Sequence, residues 1–175
     1  MQLCILIANL MALATGGLAR PTEMKEGNDL VNIRVNSRNP ELAGRLLTVS
    51  DDAVGLQDAA SVPVQVYITP SELEQQIVMH IFPSGGPGDQ VLALNGTSGL
   101  RPLVQIDRVR DTTSQDIDAY SFSVAGDNIM EDYNGGCWVA IPKIGGWAIS
   151  WYDGQSMIIQ NYFPVVLTPE PVSQI

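Results

Sequence analysis

Basic residues are scarce in this chain: nine Lys and Arg stand against nineteen Asp and Glu, a formal net charge of −10. Such a surface repels phosphate backbones and anionic bilayers, which argues against nucleic acid and the membrane as partners. Histidine occurs once, as His80, so any triad or imidazole-based metal site has to use it. No Gly-x-Ser-x-Gly elbow supplies an activated serine, and a lone histidine builds no zinc site. His80 shares a strand face with Val78 and Phe82 and reads as a hydrogen-bonded structural residue. The glycine-rich stretch from Pro83 to Asp89 lacks the lysine, the spacing and the following helix of a phosphate-binding loop. No catalytic residue, metal ligand set or cofactor is therefore assigned.

Long apolar runs are also missing. The most apolar segment, Met1 to Ala14, carries no charge but falls short of the about 20 residues that cross a bilayer. Followed by small residues and then a polar chain, it has the pattern of a secretory signal peptide, with cleavage after Ala14 or Ala19. The second site is preferred, which makes 1–19 the signal, leaves Arg20 as the first mature residue and places the protein outside the cell. Cysteine is nearly absent. Of the pair Cys4 and Cys137, the first departs with the signal, so no internal disulfide is expected and the core must hold the fold unaided. Cys137, beside Trp138, reads as an inert buried thiol or an intermolecular partner.

What remains is roughly 155 residues, enough for one domain with a sizeable core. Residues 20–29 form a polar leader, 30–169 the domain and 170–175 a tail. Val31, Ile33 and Val35 alternate with polar neighbours, the period of a half-buried strand. Further strand-like runs are Leu46 to Val49, Val54 to Gln57, Val62 to Ile68, Ile77 to Phe82, Val91 to Leu94, Leu103 to Val109, Ala119 to Val124 and Pro164 to Leu167. Arg110 to Asp118 and Gly126 to Gly136 read as loops. Thr69, Pro70 and Glu72 offer a capping box for a single helical turn over 69–76. All three tryptophans lie between Cys137 and Phe163. Within that run, Asp153-Gly154 separates Trp147 to Tyr152 from Met157 to Tyr162, which predicts a hairpin between the two.

Short strands, little helix and many turn residues mean a β-barrel or a β-sandwich. Internal repetition favours the barrel. Arg45-Leu46-Leu47-Thr48-Val49, Gln90-Val91-Leu92-Ala93-Leu94 and Cys137-Trp138-Val139-Ala140-Ile141 share a pattern, and each is followed by a glycine and a large apolar residue: Gly55-Leu56, Gly99-Leu100 and Gly146-Trp147. Three units of roughly 45 residues resemble a β-trefoil, in which three four-stranded units pack about a pseudo-threefold axis. The opening unit, Asn32 to Val35, then Leu46 to Val49, then Val54 to Gln57, is similar to that of secreted fungal trefoils, the ricin-B-type lectins and fungal protease inhibitors. The Gln-x-Trp motifs of those lectins are absent, Gln160-Asn161-Tyr162 being the nearest, so no sugar-binding residue carries over.

The sites that the residues themselves offer are few. Asn95-Gly96-Thr97 is an N-glycosylation sequon at a turn. The acids from Asp107 to Asp118 and from Asp127 to Asp132 read as solvated loop charge. Tyr152, Asp153 and Gln155 place an aromatic ring beside a carboxylate and an amide at the expected hairpin tip, a set that can stack on a sugar and bond its hydroxyls. The leading expectation is a secreted binding protein that is not an enzyme and recognises an extracellular glycan or protein through its loops. A trefoil-type protease inhibitor, acting through Asn36 to Ala43 or Ser84 to Asp89, is the rival. A hydrolase with carboxylates about 5 to 10 Å apart is third.

Overall fold

The computed structural model describes residues 29–50, 53–57, 61–71, 76–83, 89–107, 116–131 and 135–172. Among them there is no helix. Thirteen strands form: β1 (Val31–Asn36), β2 (Thr48–Ser50), β3 (Ala53–Gln57), β4 (Gln65–Pro70), β5 (Ile77–Phe82), β6 (Gln90–Asn95), β7 (Leu100–Asp107), β8 (Ile117–Asp118), β9 (Phe122–Ala125), β10 (Asn128–Glu131), β11 (Cys137–Lys143), β12 (Gly146–Tyr152) and β13 (Phe163–Pro171).

Nine of these close a barrel in the order β1-β4-β5-β6-β7-β3-β12-β11-β13, every pairing antiparallel. The seam is the pairing of β1 with β13, which runs from Val31↔Pro171 to Asn36↔Val166. Closure removes the sheet edges that an open stack leaves unpaired, and it overturns the sandwich alternative. The remaining strands are additions: β2 lies on β3, β8 on β6, and the β9–β10 hairpin bridges β5 to β13.

The alternation seen in the sequence explains which side chains fill the interior. Ile33 and Val35, Ile77 and Met79, Leu92 and Leu94, Ile149 and Trp151, and Val165 and Leu167 all point inward and are buried. Trp138 lies among them. Its indole donates to the Ile129 carbonyl at 2.7 Å, and its ring meets Trp151 edge-on at 5.2 Å and stacks on Phe122 at 6.3 Å. A second, smaller cluster of Val78, Val91, Ala93, Ile106 and Ala119 packs on the outer face of β5, β6 and β7.

Several sequence expectations change. Trp147 to Tyr152 pairs with Cys137 to Lys143, from Cys137↔Tyr152 to Lys143↔Gly146, and not with Met157 to Tyr162. The turn is Ile144-Gly145, with Gly145 at φ +81°, while Asp153 spends its carboxylate on the chain that follows. Gly126 to Gly136 is not all loop, because β10 lies within it. Among its described residues one apolar side chain, Ile129, is fully buried, too little to register as alternation. Likewise β8 ends the stretch read as loop before Ala119. The C-terminal strand reaches Pro171 and takes in Glu170, which pairs with Arg34, so the tail begins later than residue 170. Thr69 and Pro70 finish β4, and the Ser71 amide donates to the Gln76 carbonyl at 2.8 Å; residues 72–75 of the expected helical turn lie outside the described residues. So do the signal segment, the leader through residue 28, the loop core 84–88 and the acids of 108–115 and 132. Cys137 is disulfide-bonded, so it is not the inert free thiol that its place beside Trp138 suggested.

Candidate functional site

The three residues picked out at the end of β12 do come together in one turn. Asp153 Oδ1 accepts the amides of Gln155 at 2.9 Å and Ser156 at 3.0 Å. Its Oδ2 accepts the Gly99 amide at 2.7 Å and the Ser156 hydroxyl at 3.2 Å. A carboxylate has about four acceptor positions, and here internal donors occupy all of them. Burial alone raises the Asp153 pKa, but the hydrogen bonds from Ser156, Gln155 and Gly99 outweigh it and hold the group below 3.8. The Tyr152 hydroxyl donates to the Ser156 carbonyl at 2.5 Å, and its ring tilts against Tyr162 at 5.9 Å. Gln155 is the member of the set whose side chain is exposed and unengaged.

A different surface has the form of a binding site. An open groove of about 540 Å³ is lined by Arg38, Asn39, Pro40, Glu41, Trp147 and Phe163. Its floor is aromatic. Trp147, second residue of β12, meets Phe163, first residue of β13, edge to face at 5.5 Å. Trp147 packs partly on the core and leaves the rest of its ring uncovered, and Phe163 is 39% exposed. The rim comes from the β1–β2 loop, which builds its own support. Asn39 Oδ1 accepts the Glu41 amide at 3.0 Å, the Asn39 carbonyl accepts the amides of Leu42 and Ala43, and the Gly44 amide donates to the Val35 carbonyl. Leu42 is fully buried and anchors the loop, and the Ser37 hydroxyl reaches the Pro164 carbonyl at 3.4 Å. Arg38 and Glu41 are exposed and neither is ion-paired with another described residue. Arg34 and Arg101, by contrast, are committed to Glu170 and Asp118.

His80 is 4% exposed and bonded through both nitrogens, to Asp89 at 2.8 and 3.0 Å and to the Thr69 hydroxyl at 2.9 Å, with Tyr67 stacked on it at 4.6 Å. A carboxylate, an imidazole and a hydroxyl in this order is the arrangement of a hydrolytic triad. Here the ring sits under a tyrosine and ties β4 and β5 to the segment that enters β6. Asn95 stands exposed at the end of β6 before Gly96 at φ +108°. Arg101 fixes that turn by donating to the Gly96 carbonyl at 2.8 Å and to Asp118 at 3.0 Å. No group of three or more metal-ligating side chains occurs among the described residues.

No family model, curated protein or solved structure matches the chain. Its function has to be argued from the groove and the loops. Reading along the sequence missed the groove because its aromatic and polar sides lie over a hundred positions apart and meet only through the β1–β13 seam. The traces that were visible are Asn36 to Ala43, a candidate inhibitor loop that holds Arg38, Asn39, Pro40 and Glu41, and Trp147 at a strand start, where alternation alone assigned it to the core.

Proposed function

We propose that the protein is a secreted β-trefoil that binds carbohydrate in the groove between Trp147, Phe163 and the β1–β2 loop. The observation that carries this is the partly uncovered Trp147–Phe163 pair beside Arg38, Asn39 and Glu41. Sugars present an apolar C–H face and a polar perimeter. A flat ring takes the first, and a guanidinium, an amide and a carboxylate standing at its edge take the second. The shallow, open form suits the exposed end of a glycan chain more than an enclosed small molecule.

The trefoil reading draws support from how the sequence repeats pair. Each repeated segment supplies the first strand of a hairpin: β2–β3, β6–β7 and β11–β12. The second strands, β3, β7 and β12, pair with one another in all three combinations. Apart from β8, which lies on β6, the strands left over, β1, β4, β5, β9, β10 and β13, form a closed ring of their own. Three caps and a six-strand ring are the parts of that architecture. Secretion rests on the N-terminal signal pattern.

Glycan-array screening followed by titration of Trp147→Ala and Phe163→Ala tests the site. Each substitution is expected to weaken binding about tenfold or more, while Tyr152→Phe leaves it unchanged. Binding that survives Trp147→Ala removes the groove, and a protein that retains no glycan removes the carbohydrate reading.

A further inference from the structure

The turn between β6 and β7 holds the sequon, which the sugar groove leaves unused. Asn95 ends β6, and Asn95, Thr97 and Ser98 are all exposed. The turn is braced from beneath: the Gly96 amide donates to the Asp116 carbonyl at 2.6 Å, and Arg101 donates to the Gly96 carbonyl at 2.8 Å. Two more bonds tie it to the chain that follows β12. The Gly99 amide donates to the Asp153 carboxylate at 2.7 Å, and the Gly99 carbonyl accepts the Asp153 amide at 3.0 Å. Ser156 lies against the same glycine, so that a Cβ on Gly99 would stand 3.2 Å from the Ser156 hydroxyl oxygen. The residues after Ser156 carry apolar side chains into water: Met157 is 89% exposed and Ile159 95% exposed.

We propose that Asn95 carries an N-linked oligosaccharide and that this sugar lies over Met157 and Ile159. Asn-x-Thr with a residue other than proline at its centre is the acceptor for such transfer in the secretory pathway, so the inference rests on the secreted part of the reading above. In the transfer, Asn95 Nδ2 bonds C1 of the first sugar of a lipid-pyrophosphate-linked oligosaccharide. The bond from C1 to the pyrophosphate oxygen breaks, the lipid pyrophosphate leaves with the electron pair, and Nδ2 gives up one proton to water. Nothing is oxidised or reduced. Because Asn95 is exposed at the end of its strand, a bulky substituent added to the nascent chain does not obstruct closure of the barrel. Its place gives it a role. The braced turn and the contact between Gly99 and Ser156 set the attached sugar beside Met157 and Ile159, whose apolar surface costs free energy in water. An oligosaccharide covers such groups and turns its hydroxyls outward, which makes the surface more soluble. The groove stays open. Trp147 and Tyr152 stand near opposite ends of β12, about 17 Å apart along the strand, and the modified turn leads into Leu100, which pairs with Tyr152.

The full-length chain is expressed in a eukaryotic secretory host, and its mass is measured before and after treatment with a peptide-N-glycosidase. The enzyme is expected to remove the mass of an oligosaccharide and to leave an aspartate where Asn95 stood, located by peptide mass spectrometry. Asn95→Gln and Thr97→Ala should each lose the modification, and Thr97→Ser should keep it. A chain recovered from the medium without the sugar overturns the proposal and leaves secretion standing, whereas a chain retained in the cell overturns both. Removal of the sugar is then expected to raise the fluorescence of a dye that binds apolar surface at unchanged far-UV circular dichroism. Met157→Ser combined with Ile159→Ser should abolish that rise. A dye response indifferent to removal, or a rise that survives the double substitution, overturns the placement of the sugar over these side chains. Carbohydrate binding in the groove is scored on the same samples and should not change on removal, so either reading can fail alone.

Discussion

Asp153 shows how one side chain can convert an expected binding tip into a scaffold. Its carboxylate organises four donors from three residues, so Asp153→Ala is expected to cost about 1–3 kcal/mol and to free the loop that follows; urea denaturation and amide exchange of residues 155–161 measure the two effects. The pH dependence has a defined sign. Hydrogen bonding holds the folded-state pKa of Asp153 below 3.8 despite burial, and the same balance holds for Asp118, where bonds from Ser121, Tyr120 and Arg101 outweigh desolvation. For a depressed carboxylate the stabilisation is complete above the unfolded pKa, about 3.9, and is lost as pH falls through the folded value. Asp153→Asn should therefore flatten, without abolishing, the fall in thermal midpoint below about pH 4, since Asp118 remains. The sequence put Tyr152, Asp153 and Gln155 at the tip of a hairpin with Met157 to Tyr162; they lie instead in one turn after β12, with Tyr152 half-buried. It could not reveal that Gly99, over fifty positions earlier, donates to the same carboxylate. His80 went the other way: its surroundings on the strand face were readable, and both of its partners lie within eleven positions.

At the scale of elements, the repeated glycines carry more information than the apolar runs around them. Gly55 and Gly146 lie where β3 and β12 cross closely: a Cβ on Gly55 would sit 2.0 Å from the Trp147 carbonyl oxygen, and one on Gly146 would sit 2.2 Å from that of Leu56. Both contacts are with backbone, which cannot step aside without breaking the register Gly146↔Gln57, Trp147↔Leu56, Ala148↔Gly55. Gly55→Ala is thus expected to destabilise by about 3 kcal/mol or more and to displace Trp147, weakening glycan binding in whatever fraction stays folded; thermal melts and binding titrations report both. The Gly-plus-apolar pattern after each repeat was visible in the sequence, and in the fold it falls in or immediately before β3, β7 and β12, the strands that pair with one another. The pairing itself was not visible, because it joins residues from three distant parts of the chain. The Asp153-Gly154 turn signal misled for a related reason: local turn chemistry was satisfied, yet Trp147 to Tyr152 found a better partner upstream, where Trp138, Val139, Ala140 and Ile141 form the buried middle of β11.

Across the whole molecule, the first and last strands are neighbours, and this ties the two ends of the described chain into one closed barrel. β1 pairs with β13 over six residue pairs, and Arg34 on one meets Glu170 on the other. The ion pair lies at the surface and adds at most about 1 kcal/mol, so the seam is held by its backbone ladder and by Ile33, Val35, Val165 and Leu167 beneath it. No part of the closed barrel can bury its apolar face without the rest, which predicts a single cooperative transition. The distribution of tryptophan makes this testable without labels. Trp138, Trp147 and Trp151 all belong to the third repeat, so their fluorescence reports that unit, while far-UV circular dichroism reports every strand. Urea curves from the two probes should coincide. Leu47→Ala, a fully buried change in the first repeat, should shift both curves equally, by about 2–5 kcal/mol. A tryptophan transition that stays in place while the dichroism moves would mean that the third unit unfolds on its own, and the closed seam would then contribute little to stability.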